Sequence, residues 1–439
     1  MTVTTVRDPV ADIIAYNLPL TDAGHSVAHA DGHGNLTAQA LSRKLEALSG
    51  SPFQFFRGTF HLMCKDLFDA RVPGAQSHSP EGLIVGDLHL ENFGIYRGLS
   101  GELTFDVNDF DDVGFGPIDL DLKRLCTSAF LLPGLAQGVR AAAARNLARA
   151  WVDELAKLGG RFPVPPWTLE KADGRVAELL REHGHGSQSD LIAKAAPDKG
   201  HRKFDLAGTP AKYAAPSKAW FKIGADAVAV YLESLKQLKA PRQPANCEVL
   251  DVAYRFKGLG SLGRLRFSVL VGDGNERRIL ELKEARQSAL DEFRSRPKGI
   301  DRARTQTAAI RRLQGDPWPR VAATSFAKVP ALGREIEAEE EKIDSGQFAK
   351  GDARHEELNA YVRQCGAVLA RLHCRENAPI LLDAAWSPAE CARSAVEFAE
   401  RYALQVEKDQ HTFVKGRSAV AHALGLVETN PQQNQEPTK

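Results

Sequence analysis

The chain has 439 residues, with 57 Lys+Arg against 56 Asp+Glu and a formal net charge of +1. That balance supplies no global basic field, which argues against nucleic acid or an anionic membrane as the main partner. Hydrophobic residues make up 43% and charged residues 26%, and a length well past the roughly 250–300 residues of a single core predicts two lobes.

In chain order, Arg7, Asp8 and Asp12 stand where a signal peptide needs an apolar stretch, and no apolar run reaches the ~18 residues of a membrane span. Six cysteines (64, 126, 247, 365, 374 and 391) are scattered with no CxxC pair, so the expectation is a reduced, cytoplasmic protein without a disulfide framework. The first fifty residues read as weakly structured until Leu36–Leu48, which has helical spacing. His25, His29 and His33 recur at intervals of four; a solvated loop is expected there rather than a metal site. Residues 51–160 form one unit. In it Leu83-Ile84-Val85 and Leu103-Thr104-Phe105 read as short buried strands, and 135–158 as a helix stopped by Gly159-Gly160.

Residues 161–245 read as a helical insertion and the place to seek acceptor specificity; Glu182–Lys203, with His183, His185 and His201, reads as a flexible surface segment. A small sheet lobe is expected over 246–345. Val249–Phe256, Leu265–Val271 and Arg278–Glu284 alternate like strands, and Gly272-Asp273-Gly274-Asn275 supplies a hairpin turn. Helices are expected over 286–313, 355–375 and Pro388–Val406, and the tail from Glu428 as disordered. The fold class is therefore α+β.

Two clusters carry chemistry. Gly86-Asp87-Leu88-His89-Leu90-Glu91-Asn92 and Asp106-Val107-Asn108-Asp109-Phe110-Asp111-Asp112 each follow an apolar strand end. Phosphoryl transfer needs one carboxylate near the attacking hydroxyl, and an amide with a carboxylate on Mg²⁺, a hard ion that prefers oxygen. Asp87, Asn92 and one acid of the second cluster could supply that set; the same residue types also serve as turn formers and helix caps. Gly258-Leu259-Gly260-Ser261-Leu262-Gly263 is a GxGxxG. It runs into a strand-like segment, whereas a dinucleotide-binding loop must run into a helix. A glycine turn between antiparallel strands lets backbone N–H groups approach phosphate oxygens. Lys283 on the next strand would neutralise the α/β-phosphates, unless it is an edge-strand lysine on a solvated face.

The Asp87-Leu88-His89-Leu90-Glu91-Asn92 interval resembles the catalytic loop of protein-kinase-like enzymes, and its Gly-Asp-x-His form is similar to the aminoglycoside and choline phosphotransferase branch. Asp109–Pro117 with Asp121-Leu122 resembles that branch's metal loop and acidic helix start. The resemblance implies Asp87 as the catalytic carboxylate, Asn92 with Asp109 (Asp106 being the other candidate) on Mg²⁺, and His89 and Asp121 as braces. It also implies that Gly258, Gly260, Ser261, Gly263 and Lys283 bind ATP. A glutamate from the next helix normally fixes this lysine; Glu284, Glu292 and Asp301 are all poorly placed for it. The glycine loop follows the catalytic loop instead of preceding it, and Leu369-Ala370-Arg371-Leu372-His373, similar to the helix ahead of the catalytic loop, lies near the C-terminus. The implied fold is a circularly permuted kinase-like two-lobe structure, its helical lobe completed by 346–427.

This order, together with Phe53-Gln54-Phe55-Phe56-Arg57-Gly58, resembles the bacterial family catalogued as domain of unknown function twenty-two fifty-two. Arg57 then contacts phosphate, anchors the metal loop or forms a structural ion pair. The expected activity is ATP- and Mg²⁺-dependent transfer to a hydroxyl of a small molecule or peptide. Nucleotidyl transfer, an inactive nucleotide-binding regulator and metal-dependent phosphoester hydrolysis are the alternatives.

Overall fold

The computed structural model describes residues 7–21, 34–69, 71–72, 77, 79–207, 211–239, 247–273, 276–293, 301–349, 353–381, 383 and 386–426. Four helices come first: α1 (Pro9–Asn17), α2 (Gly34–Gly50), α3 (Pro52–Gly58) and α4 (Phe60–Phe68). Then follow β1 (Glu81–Ile84), β2 (Phe93–Arg97), β3 (Leu103–Val107), β4 (Gly114–Pro117), α5 (Asp119–Phe130) and α6 (Gln137–Leu158). The middle holds α7 (Gly174–Glu182), α8 (Gln188–Ala195), β5 (Tyr213–Ala214) and α9 (Lys218–Gln237). Next are β6 (Glu248–Arg255), β7 (Arg266–Asp273), β8 (Glu276–Glu284), α10 (Arg302–Leu313), β9 (Val321–Phe326), β10 (Val329–Ile336) and β11 (Glu341–Lys342). The chain closes with α11 (Ala353–Leu381) and α12 (Pro388–Ala423). The architecture is mixed α+β, as expected.

The main sheet is antiparallel, in the order β5-β6-β7-β8-β10-β9. Side chains alternate between its faces. Phe267, Val269, Val271, Leu280 and Leu282 share one buried cluster with Trp220, Ala227 and Tyr231 of α9. The intervening positions, Arg266, Ser268, Glu281 and Lys283, therefore face the other way, toward the helical body. That body is built on α11 crossing α6 and on α12 packing against α5, α6 and α1. Strand β11 pairs with β2, which pairs with β3, so a small second sheet continues from the end of β10 into the helical body. Near its C-terminal end α11 meets β1, where Asn377 accepts from Leu83 N and donates to Leu83 O, both at 2.9 Å.

Several expectations are corrected. Residues ahead of Leu36 include helix α1, started by Asp8, whose carboxylate accepts from Val10 N and Ala11 N. Its Ile13 is fully buried. The stretch Glu182–Lys203 is not a loose surface segment: Ile192, Ala195 and Ala196 pack with Leu270 and Ile279 on the sheet. A single helix over 286–313 is replaced by a short 3₁₀ turn at Ala289–Phe293 and by α10. The sheet gains β5, β9 and β10, because the Ala-rich run Val321–Phe326 carries little strand signal until a neighbour pairs with it. Helix α12 runs on to Ala423. His25, His29 and His33, part of the Gly272–Asn275 turn and the tail from Glu428 lie outside the described residues. Among the described residues no disulfide links the cysteines, and no helix of the described chain is long and apolar enough to cross a membrane.

Helices α6 and α11 approach closely at Gly366 of α11, where a Cβ would meet the Leu147 carbonyl oxygen of α6 at 2.2 Å. Because the obstacle is backbone, Gly366→Ala must push the helices apart, at a cost of about 1–3 kcal/mol. Urea unfolding should show the midpoint falling with the slope unchanged. An unshifted midpoint would mean that the two helices do not meet this closely.

Candidate functional site

Strand β1 leads into a turn that only glycine tolerates. Gly86 has φ +87°, and a Cβ there would lie 2.5 Å from the Asp112 carbonyl oxygen. The turn is held by Asp121, in the first turn of α5, which accepts from Val85 N and Gly86 N at 2.8 Å each. His373 of α11 lies 3.2 Å from the same carboxylate. Trp151 Nε1, a donor only, reaches His373 Nδ1 at 3.2 Å, so Nε2 carries the proton that His373 gives Asp121. Asp121 thus holds the turn through two backbone N–H groups, and His373 is a partner that the sequence did not point to.

Beyond the turn, the 3₁₀ segment Leu90–Asn92 is capped reciprocally. His89 N donates to Asn92 Oδ1 at 2.8 Å, and Glu91 N donates to His89 Nδ1 at 3.2 Å. Burial, with Arg57 and Arg124 nearby, holds the His89 imidazole well below its usual range, so it stays neutral. Arg57 forms an ion pair with Glu91, and its Nε lies 3.4 Å from His89 Nε2. Asp87 accepts from Arg124 Nε at 2.7 Å. Arg124 is fully buried, lies over the rings of Phe56 and Phe60, and donates to the Phe56 carbonyl. Burial lifts the Asp87 carboxyl to about 6, against the pull of Arg124.

The second cluster divides. Asp106 points away from the loop, accepting from Gly315 N at 2.8 Å with Arg375 at 3.8 Å, and burial raises its carboxyl. That orientation keeps it out of both cavities, whereas Asp109 lines both. Lys283 lies on an inner strand and is 9% exposed, so the solvated-edge reading fails. Its ammonium pairs with Asp111 and has Asp109 Oδ1 at 4.0 Å. Burial works against ionisation of Asp109, but Lys283, Lys342 and Arg266 outweigh it and hold that carboxyl low. Burial and the charge on Asp109 raise Asp111.

Asp111 is the lysine partner that the sequence did not identify. Its carboxylate also meets Arg264 at 3.4 Å, and its carbonyl accepts from Arg302 at 2.9 Å and from Gln306 at 3.0 Å, both on α10. The helix after the lysine strand therefore grips the Asp109–Asp112 loop instead of the lysine. Glu284 turns to Leu265 N, and Asp301 caps α10. The side chain of Glu292 lies outside the described residues.

The glycine segment closes over this cluster. Gly258 (φ +79°) starts a 3₁₀ turn whose Gly260 lies beside Asp87; a Cβ on Gly260 would be 3.6 Å from Asp87 Oδ2. Ser261 Oγ donates to the Gly258 carbonyl at 3.2 Å. Gly263 (φ +97°) packs on Leu41 and anchors the loop, away from the cavities. Lys44 of α2, fully buried, donates to Asn17 Oδ1 at 3.0 Å and lies 3.5 Å from the Gly260 carbonyl; burial and then Arg264 push its ammonium down to about 7.

Two cavities adjoin. One of about 60 Å³ is lined by Asp87, His89, Asn92, Asp109, Gly258, Gly260, Ser261 and Arg57. The other, about 340 Å³, is lined by Asp109, Asp111, Gly258 and Lys283, and by Lys257, Arg266, Arg334 and Lys342. Residues far apart in sequence thus share one site. Among the described residues no three His, Cys, Asp or Glu side chains converge as metal ligands. Mg²⁺ does not require that: it takes one or two carboxylates plus phosphate and water oxygens, and Asp109 with the Asn92 amide oxygen fits. Lys342, Arg266 and Arg334 had no local sequence signal; Asp111 could have been found from its place two residues after Asp109.

The family model described as uncharacterized protein conserved in bacteria (DUF2252) matches residues 36–416, and the chain belongs to that family. No curated protein and no solved structure gives a significant match.

If the Lys283–Asp111 pair forms in solution, Asp111→Asn should expose the amine. Labelling of Lys283 by an amine-reactive reagent, followed by mass spectrometry, should then quicken severalfold. Asp111→Glu should restore the slow rate, and equal rates in all three proteins would show that the pair is not formed.

Proposed function

We propose that this member of the DUF2252 family is an ATP- and Mg²⁺-dependent phosphotransferase acting on a hydroxyl of a small molecule or peptide. We also propose that its fold is kinase-like with the parts circularly permuted. The observation that carries the reading is the shared site: Gly258–Ser261 and Lys283 from the sheet border the same space as Asp87, Asn92 and Asp109 from the helical body. The permutation is supported by the contact of Asn377 with Leu83. Followed through space from β6 to β10, β11 and α11, the path passes to β1 and the Asp87 loop, the order in which an unpermuted kinase runs.

In this reading Asp87 orients the acceptor hydroxyl and takes its proton. Its position beside Arg124 fixes the carboxylate, and its raised pKa brings it toward the useful range for a base. Backbone N–H groups of the glycine turn and the ammonium of Lys283 hold the polyphosphate, because absent side chains allow close approach and a positive charge offsets the oxygens. Asp109 and Asn92 hold Mg²⁺, which when bound neutralises charge on the transferring phosphoryl group. Asp111 keeps Lys283 beside the metal loop. Arg57, through its ion pair with Glu91, steadies the catalytic loop.

Calorimetry tests the binding half. Wild type should bind ATP only with Mg²⁺, and Lys283→Ala and Asp109→Asn should each weaken binding by at least about tenfold, near 1.4 kcal/mol. A wild type that binds no nucleotide would sink the proposal. Turnover supplies a second test. Protonated Asp87 cannot accept a proton, so the rate should fall about tenfold per pH unit below pH about 6 and level off above it. A flat profile from pH 5 to 8 would remove Asp87 as the base.

A further inference from the structure

The larger cavity has an unusual ceiling. On β8, Glu281 and Lys283 share the face that looks into it; across the ladders Arg266 lies opposite Lys283, and Leu332 and Arg334 lie opposite Lys283 and Glu281. Moving from Lys283 to Glu281 is a step of about 7 Å along the strand, away from the carboxylates that pair with Lys283. An aromatic base stacks best between apolar or π surfaces. Here the sheet face offers Leu332 and a layer of charge, while Ile95, Tyr96, Phe110, Ile310 and Trp318 supply apolar surface elsewhere in the cavity.

The charge is unbalanced. Glu281 accepts from Arg266 at 2.7 and 3.1 Å and from Arg255 at 2.8 Å, with Arg334 at 3.4 Å. Those three guanidiniums outweigh burial and hold the Glu281 carboxyl well below its usual range. Arg334 also pairs with Glu340 and lies 4.8 Å over the Trp318 ring. Lys257, at the mouth of the same space, feels Arg255, Arg266 and Arg334 as like charges and has no ion-pair partner among the described residues. Around the whole cavity six cations (Arg57, Lys257, Arg266, Lys283, Arg334 and Lys342) face five carboxylates (Asp109, Asp111, Glu281, Glu340 and Glu341), so one positive charge is in excess. An excess of fixed positive charge in a partly desolvated space is costly unless an anion enters it.

We propose that Lys257, Arg266 and Arg334 form a second anion subsite, which takes a phosphoryl group of a polyphosphate at the end of the cavity away from Asp109 and Asp111. The subsite follows from the cavity's own charge; only the identity of the ligand as a nucleotide rests on the function proposed above. Two sources can supply the anion: the terminal phosphates of a nucleoside triphosphate lying in reverse, or a phosphate on the other substrate. A nucleotide lying in reverse presents its α-phosphorus to the acceptor. The acceptor oxygen then bonds to that phosphorus, the bond to the bridging oxygen breaks, pyrophosphate leaves with the electron pair, and Asp87 takes the proton.

The test is calorimetric titration of inorganic tripolyphosphate into the full-length wild type, Lys257→Met, Arg334→Lys and Lys283→Ala. Lys257 is exposed and has no ion-pair partner among the described residues, so its variant should fold normally, which a thermal scan checks. Tripolyphosphate should bind wild type and lose roughly tenfold or more in Lys257→Met and in Arg334→Lys, the loss of one charge-assisted contact. Binding that is absent, or unchanged in both variants, overturns the subsite. Where ATP affinity falls with that of tripolyphosphate in Lys257→Met, the anion is the nucleotide's own and pyrophosphate is the product to seek. Where ATP affinity holds while tripolyphosphate weakens, the subsite serves the other substrate. Tripolyphosphate binding without any ATP binding keeps the subsite and removes the nucleotide reading, so the two failures are distinguishable.

Discussion

Asp111 ties three parts of this molecule to one residue. Its carboxylate holds Lys283 from the sheet and Arg264 from the end of the glycine segment, while its carbonyl receives Arg302 and Gln306 from α10. Each of these contacts is charged or buried, the class of hydrogen bond worth most when made and costing most when broken. A loop that carried only Asp109 would be free to swing; one anchored at the next residue but one is not. The consequence is a site whose lysine and second carboxylate cluster are positioned together, without a separate helix to bring in a counter-ion.

A second constraint comes from the helical body. Asp121 satisfies two backbone N–H groups at the Gly86 turn, and His373 and Trp151 continue the hydrogen-bond chain into α11 and α6. A fully buried carboxylate is tolerable only when its oxygens are so occupied. Arg124 plays the matching part for Asp87. Rigid helices therefore set the turn that carries Asp87, and the sheet sets Lys283. The two meet because β11 pairs with β2. The glycine segment rests on α2 and α3 rather than hanging free, with Gly260 beside Asp87, and the space over that carboxylate is small as a result.

The sheet joins two environments through simple alternation. One face of β7 and β8 is apolar and meets α9; the other carries Arg266, Glu281 and Lys283 into the cavity. The charged face is stabilised by pairing across strands, Arg334 opposite Glu281 and Arg266 beside it. This face distinguishes the cavity from a plain apolar slot and makes polyphosphate chemistry the natural question to put to it.

Much of this was legible along the chain. Asp87, Asn92 and Asp109 stood out because acids, amide and glycine recur at short intervals after apolar strand ends, and strand alternation around Gly258–Gly263 excluded a dinucleotide-binding helix. Local pattern reports local geometry, so β6 to β8 and α6 could be read with small errors at their ends, whereas α11 and α12 run on past their expected ends. What the sequence could not determine were pairings between distant segments: that Asp106 turns to Arg375 while Asp109 stays in the cavity, that Asp111 takes Lys283, that Val321–Phe326 becomes an edge strand, and that α1 folds onto α12. Those outcomes depend on which buried charges find partners and which apolar faces find cover, and both are settled only when the whole chain is packed.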